Sequence, residues 1–499
     1  MEFMEKMKNV LEDDFNYAQT ENGALGYKTS GKALVDLNFA VSSLRTANNT
    51  EILDMFNKAY GENPELAIKW LFYARDVRNG LGERRLFRVI FKDNLIAFKH
   101  LLKYIPEYGR WDDMLECFGI DDDIDIFICR IIVVQLISDV RNMQNNQSIS
   151  LLAKWMPSEN ASSQHTKNLA RKFMRLMDLT PKQYRQMLSS LRAYLKIVER
   201  NMCAKEWDKI DYEAVPSKAN LIYRHAFLKN DELRRLEYLE NLKQGNAKIN
   251  SSVCYPHEIV TQYSQGSHFL SPNHLDTTLE EMWKSLPIIP TDGNTLVVRD
   301  GSGSMCYGIL NNVSPLVIAT SLAIYYAERA KGDFANKFIT FSACPEIVDM
   351  SNLKTLYDKI RLVNTYNDCS NTNIEKTFDL ILQTAISGRM KQEEIPKNIL
   401  ILSDMEFDKT CNANSQKRLF SNIAKKFKDA GYEMPRLIFW NLCSRTGTIP
   451  VKENKHGVAL VSGFSINTLK MVMSNKLDPY EVLVEQLMSE RYNPITLIK

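Results

Sequence analysis

The chain has 499 residues, with 63 lysines and arginines against 60 aspartates and glutamates, 44 % hydrophobic residues and 25 % charged ones. That length suits about two to four domains and a full core without disulfide staples, and the composition is that of an ordinary soluble globular protein. A net charge of +3 gives no global argument for nucleic acid, so any such argument must be local.

The nine cysteines are odd in number and scattered, with no Cys-x-x-Cys pair and no zinc spacing, which suits a reducing cytoplasm. The N-terminal MEFMEKMKNVLEDDF mixes charge with apolar residues and lacks the apolar core of a signal peptide. The longest apolar run, Ile124 to Ile137, is broken by Arg130 and too short for a bilayer; the expectation is a buried core helix and no membrane span.

Met1 to about Ser30 reads as a polar, Gly-bearing loop. Apolar residues at three- and four-residue steps then predict helices over Ala33–Leu44, Thr50–Tyr60, Pro64–Arg75, Glu83–Tyr104, Trp111–Phe118 and Ile124–Met143. Asn63-Pro64 and the Gly80/Gly82 link are the start and stop signals of antiparallel helix pairs. A second helical block comprises His165–Met177, Pro181–Met202, Ser217–Leu228 and Asp231–Leu242. No clean sequence repeat emerges, so HEAT-like stacking is inferred from helix lengths alone.

At Leu286 to Asn294 (LPIIPTDGN) two prolines and a turn sequence separate helical text from alternating text. Strands are predicted at Thr295–Val298, Lys337–Phe341, Asn398–Leu402, Arg436–Asn441 and Val458–Val461. Helices are predicted at Pro315–Lys331, Leu353–Val363, Ile374–Ile386, Lys417–Ala430, Ile466–Met473 and Pro479–Arg491. Such alternation implies βαβ units and a sheet covered on both faces. The expected organisation is therefore multidomain, an all-α HEAT-like array over residues 1–287 and a Rossmann-like α/β domain over residues 288–499.

TLVVRDGSGSM (Thr295 to Met305) is a buried strand running into a Gly/Ser turn. Asp300, Ser302 and Ser304 alternate there, so a tight loop can turn one carboxylate and two hydroxyls towards one point, all hard donors suited to Mg²⁺ or Mn²⁺. Open α/β sheets bind ligands outside the carboxyl ends of their strands. Two later sequences supply donors there: the loop Asp368 to Asn373, with Thr372 its best hydroxyl, and KNILILS, which delivers Asp404. The alternative for DGSGS alone is a plain loop after a strand.

The order Asp-x-Ser-x-Ser, Thr, Asp resembles the metal-ion-dependent adhesion site of von Willebrand factor A domains, with Asp300, Ser302, Ser304, Thr372 and Asp404 in the ligand positions. That resemblance implies direct ligation by Ser302, Ser304 and Thr372, with Asp300 and Asp404 acting mainly through water. Arg299 departs from the family pattern, because a cation beside the site weakens metal affinity unless it points away or is paired.

TENG with TSGKALVDLNF, ARDVRNGLGERRLF, YGRWDD, WDKIDYEAVPSKA, KINSSVCYPHEI and SDMEFD together resemble a family of largely uncharacterised two-part proteins, helical in front and A-domain-like behind. Their architecture is similar to that of the TROVE module (Ro autoantigen) proteins. This implies an arc or ring of helical repeats joined to a metal-bearing A domain, with structured or small non-coding RNA as ligand in a ribonucleoprotein.

Within the helical text, Arg171, Lys172, Arg175, Lys182, Arg185 and Arg192, with Tyr184 and Tyr194 among them, form the candidate RNA surface of phosphate contacts and stacking rings. The bland alternative is a solvated helix face. The cluster Arg75, Arg78, Arg84, Arg85 and Arg88 either holds helices together through Asp76, Glu83, Asp112 and Asp113 or faces a polyanion; the structural reading leads. Catalytic signatures are lacking. No Walker loop, Gly-x-Ser-x-Gly elbow or His-Glu-x-x-His occurs, and the seven histidines do not cluster. The sequence therefore favours a non-enzymatic binding or scaffold protein, with an acidic partner at the metal. The alternative is a metal-dependent phosphoesterase or nuclease using the same cluster, with Glu406 as added ligand or base.

Overall fold

The computed structural model describes residues 15–263, 270, 272–288, 294–306, 313–342, 344–367, 374–407, 419–450, 458–465, 467–468 and 478–497, together with Met4 and Met7. The chain forms two compact units, Met1–Ala67 with Ile249–Arg491, and Ile68–Lys248 with Tyr492–Lys499. This corrects the expected division at residues 287 and 288. Of the described residues, those from 15 to 67 and from Ile249 to Arg491 group with the α/β part, and 492–497 with the helices.

The first unit is built on a six-stranded sheet. Its strands are β3 (Thr295–Asp300), β4 (Lys337–Phe341), β5 (Ile347–Asp349), β6 (Asn398–Ser403), β7 (Arg436–Asn441) and β8 (Val458–Ser462), after a separate hairpin of β1 (Tyr17–Gln19) and β2 (Leu25–Tyr27). The sheet order is β5-β4-β3-β6-β7-β8. β3, β4, β6, β7 and β8 run parallel, and β5 pairs antiparallel with β4 at the edge. The chain leaves β3 towards β4 on one side and returns to β6 on the other. The carboxyl ends of β3 and β6 therefore flank a topological switch point, where open sheets leave a crevice.

Every residue of β3 and of β6 is buried, as expected of parallel strands covered on both faces. One face carries Leu296, Val298, Ile339, Phe341, Ile399, Ile401, Leu437 and Phe439, packed in one cluster with Phe378, Ile381, Ile423 and Phe427 from the helices Ile374–Ser387 and Leu419–Asp429. Val35 and Phe39 of the helix Ala33–Phe39 join the same cluster. That helix was expected in the helical domain; its apolar side instead completes the sheet's cover. Against the sheet also lies the helix Pro315–Arg329, buried from Pro315 to Ala327.

The N-terminal hairpin replaces an expected loop. Its strands have three residues each, turned at Gly23 with φ 83°. So short a ribbon is marginal by itself. It is fixed from outside, since Tyr27 N donates to Ile449 O and Ile449 N to Tyr27 O, each at 2.8 Å. Gly26 permits that approach: a Cβ there would lie 2.2 Å from Thr448 Cγ2.

In the second unit the expected helices are found at Arg84–Asp93, Asp122–Gln144, Gln164–Leu176, Pro181–Tyr194, Ser217–Asn230 and Glu232–Lys243. Glu83–Tyr104 is not one helix but two, the second a 3₁₀ turn over Lys99–Tyr104. Pro181–Met202 divides likewise into Pro181–Tyr194 and Val198–Ala204. The arginine cluster takes its structural role. Arg75 is buried with Nη2 2.6 Å from Asp113 Oδ2, and Arg88 reaches Asp113, Asp112 and Glu116 within 3.1 Å. Among the described residues no helix is long and apolar enough to cross a membrane.

Candidate functional site

Asp300 ends β3 and Asp404 follows β6, so the switch point brings two carboxylates together, and both are fully buried. Asp300 Oδ1 accepts from Ser302 N at 2.9 Å, which folds the DGSGS turn back over the strand end. Its Oδ2 accepts from Ser403 Oγ at 2.6 Å, tying the last residue of β6 to β3. Ser302 Oγ and Ser304 Oγ lie 2.9 Å apart. Asp404 Oδ1 accepts from Glu406 N at 3.2 Å, and Met305 Sδ accepts from Asp404 N at 3.2 Å. Between these two bonds Met405 has φ 64°, a left-handed conformation uncommon for a residue with a side chain.

Four of the five expected ligands, Asp300, Ser302, Ser304 and Asp404, thus belong to one site. Thr372 lies outside the described residues. The donor set suits a hard divalent cation. Oxygens in neighbouring positions around Mg²⁺, at about 2.1 Å from the ion, are about 3.0 Å apart, close to the spacing of the two serine hydroxyls. Asp404 Oδ2 is buried and accepts no aligned hydrogen bond, and the cation beside it is the guanidinium of Arg445, 3.2 Å away.

Arg299 does not enter the site. It is buried, with Nη1 donating to Asn367 Oδ1 at 2.8 Å and Thr320 Oγ1 at 3.2 Å, and Nη2 to Tyr366 O at 2.9 Å. Adjacent strand residues point to opposite faces, so its alternation with Asp300 carries the guanidinium away.

The electrostatics follow from two acids sharing a dry site. Burial raises the Asp300 carboxyl above its ordinary value, and burial together with the neighbouring Asp300 pushes Asp404 up to about 7. The folded protein holds a proton that the unfolded chain releases near pH 3.8, so this pair costs stability as the pH rises from about 4 to about 7. A divalent ion competes for the same oxygens. Mn²⁺ affinity is expected to strengthen on going from about pH 5.5 to about pH 7.5, by up to about tenfold per unit. Electron paramagnetic resonance titration of unbound Mn²⁺ checks this; a pH-independent affinity would mean that Asp404 takes no part in holding the ion, directly or through water.

Two residues that the sequence analysis did not assign to this site complete its rim. Arg445, after β7, lies with Nη1 3.2 Å from Asp404 Oδ2 and donates to Ser304 O at 3.2 Å. Its Nε donates to Glu21 Oε2 at 2.5 Å. No spacing rule marks either residue, because they meet only through the fold.

Glu406 has a different role from that considered above. It is 1 % exposed, and its Oε1 accepts from Arg445 N at 2.7 Å and Thr446 N at 2.9 Å. Oε2 accepts from Glu21 N at 2.7 Å, and Thr446 Oγ1 is 3.1 Å from both oxygens. A carboxylate so fully used is a structural anchor, with no lone pair left over for ligation or for proton abstraction.

The basic helices divide. Arg171 and Arg175 are exposed one turn apart on the helix Gln164–Leu176, and Lys182 is exposed at the start of the next. Lys172 is taken up by Asp122 and by the buried Asp125. Arg185 pairs with Glu159 at 2.6 Å. Arg192 is half buried, donating to the carbonyls of Ala153 and Met156 and to Ser158 Oγ at 2.7–2.8 Å. It holds a loop, which removes it from the expected RNA surface. Tyr184 is also corrected, being fully buried with its hydroxyl donating to Pro157 O at 2.8 Å. Tyr194 is partly buried and bonded to Gln147 O at 2.8 Å.

Two family models match the chain, a domain of unknown function (DUF7788) over residues 294–493 and a domain of unknown function (DUF2828) over residues 20–92 and 177–287. Among solved structures it is similar to the crystal structure of the Deinococcus radiodurans RO (RSR) protein, at 13 % identity over 90 % of this chain and 83 % of that one, with a TM-score of 0.32. A likeness that weak carries no argument about function. The uncharacterized protein L728 of Acanthamoeba polyphaga mimivirus is 31 % identical over 96 % of this chain and 89 % of its own length. On that identity and coverage, the chain belongs to the family of the mimivirus protein L728.

Proposed function

We propose that this is a non-enzymatic binding protein, with a von Willebrand factor A-like unit that holds Mg²⁺ or Mn²⁺ and a helical unit that offers a basic surface to structured RNA. The observation that carries the first half is the meeting of two buried carboxylates and two serine hydroxyls at the sheet's switch point. Ser302, Ser304 and Thr372 would hold the ion directly, and Asp300 and Asp404 through water or at its edge. Few charged direct ligands leave the ion electrophilic, suited to a carboxylate from an acidic partner. The phosphoesterase alternative needs a base. Its one candidate, Glu406, is saturated by backbone and hydroxyl donors.

For RNA the supporting feature is narrower than the sequence implied, namely the exposed Arg171, Arg175 and Lys182. Incubating labelled structured RNA with the protein and Mg²⁺ tests the RNA half of the reading and separates binding from hydrolysis. Intact, bound RNA is the expected result, and cleavage would favour the hydrolase. Reversing charge at Arg171 and Arg175 together is expected to weaken binding about tenfold and to make its dependence on salt shallower by about one to two in log-log slope. An unchanged slope would remove these residues from any phosphate contact.

A further inference from the structure

We infer that Arg445 is a tethered counter-ion whose guanidinium holds the place beside Asp404 that a divalent ion requires, and that Glu21 sets how firmly it is held. The inference rests on the metal-site reading above and adds to it a built-in competitor.

Three observations carry it. The contact between Arg445 Nη1 and Asp404 Oδ2, at 3.2 Å, is a charge contact without an aligned hydrogen bond, since that buried oxygen accepts none. It is therefore exchangeable for another cation at the cost of that contact and of the Nη1 bond to Ser304 O, at 3.2 Å, a weaker hold than the bidentate pairs that make arginine hard to displace. Next, the other end of the guanidinium is anchored outside the site, Nε donating to Glu21 Oε2 at 2.5 Å. Finally, the main chains at both residues are fixed independently of that pair, because Glu406 accepts from Glu21 N with Oε2 and from Arg445 N with Oε1, each at 2.7 Å. The exchange is thus a side-chain movement on a pinned backbone.

Two buried acids that raise one another's proton affinity call for a cation or a proton nearby. Arg445 supplies part of that charge from a side chain that is 26 % exposed and so has room to withdraw to water. A cation that must leave before the ion enters weakens the ion's apparent affinity by the strength of its own contact. Because Glu21 lies in the TENG turn of the N-terminal hairpin, metal occupancy is coupled to that turn. By reciprocity, a partner whose binding draws Glu21 away changes the metal affinity, and the metal changes that partner's affinity by the same factor.

The test is a Mn²⁺ titration of the full chain by electron paramagnetic resonance, comparing the parent protein with Arg445→Met, Glu21→Gln and Asp300→Ala. Arg445→Met is expected to bind Mn²⁺ about tenfold more tightly or better, the effect of removing one adjacent like charge. Glu21→Gln keeps the arginine and every backbone contact, and is expected to tighten binding by a smaller factor. Binding by Arg445→Met but not by the parent would support the inference as well. If the parent binds Mn²⁺, Asp300→Ala does not, and Arg445→Met binds no more tightly than the parent, the inference fails while the metal site stands. If neither the parent nor Arg445→Met binds, the site reading itself is overturned. Should Arg445→Met fail to fold, Glu21→Gln decides, and an unchanged affinity there is the negative result.

Discussion

Asp300→Ala is expected to weaken Mn²⁺ or Mg²⁺ binding by about a hundredfold or more while leaving the protein folded. Both parts of that expectation come from the same geometry. Asp300 Oδ1 shapes the DGSGS turn through Ser302 N, and Oδ2 fixes Ser403 at the neighbouring strand end. Truncation therefore removes a charge and also releases the turn that aims Ser302 and Ser304. Yet the carboxylate is buried beside another one, and burial holds its proton affinity above the ordinary value. Deleting a desolvated, repelled charge offsets much of the loss of two hydrogen bonds, so stability is expected to change little. Metal titration and thermal unfolding without metal separate the two. Asp300→Asn, which keeps an acceptor for Ser403 Oγ, is expected to keep the turn and still lose most of the affinity. Normal metal binding by Asp300→Ala would end the assignment of this site.

The sheet was legible because its signals are local. Apolar runs such as Thr295–Val298 (TLVV) and Asn398–Leu402 (NILIL), each followed two positions on by an acid, mark buried parallel strands and the place where they stop. The meeting of Asp300, Ser302, Ser304 and Asp404 follows from that, since the strand ends fix where the two aspartates stand. What the sequence concealed is non-local. The β1–β2 hairpin is too short to register in any window, and its partners lie at the far end of the chain; Thr20 Oγ1 reaches Phe407 O at 2.7 Å across 387 residues of sequence. The three-residue edge strand β5 is equally silent. Tyr184 is a different failure. It shares positions i, i+4 and i+7 with Leu188 and Leu191, all three buried, so the helical period already placed it inward. Counting basic residues along the helix obscured that face and carried Arg192, beside Leu191, into the wrong group.

Glu406→Ala is expected to cost the first unit about 3–5 kcal/mol, a larger loss than any substitution at the metal ligands. One carboxylate there serves backbone donors from two distant segments, Glu21 on one side and Arg445 with Thr446 on the other. Removing it leaves those three backbone N–H groups without their acceptor beside a residue that is itself 1 % exposed, and an unsatisfied buried N–H is costlier than a mean hydrogen bond is stabilising. The hairpin should suffer first, because its own two strands contribute little. Protection of the Glu21 amide in hydrogen exchange is expected to fall before global unfolding, and chemical denaturation then gives the total. Glu406→Gln is the sharper discriminator. It retains one carbonyl oxygen but loses the charge that three backbone N–H groups point towards, so it should lose a good part of the stability. At the same time, because Glu406 touches none of the four ligands except through its own backbone N–H to Asp404, the variant should keep most of its Mn²⁺ affinity. A variant that folds normally but no longer binds the ion would move Glu406 from the scaffold into the coordination sphere, and with it restore the hydrolytic alternative.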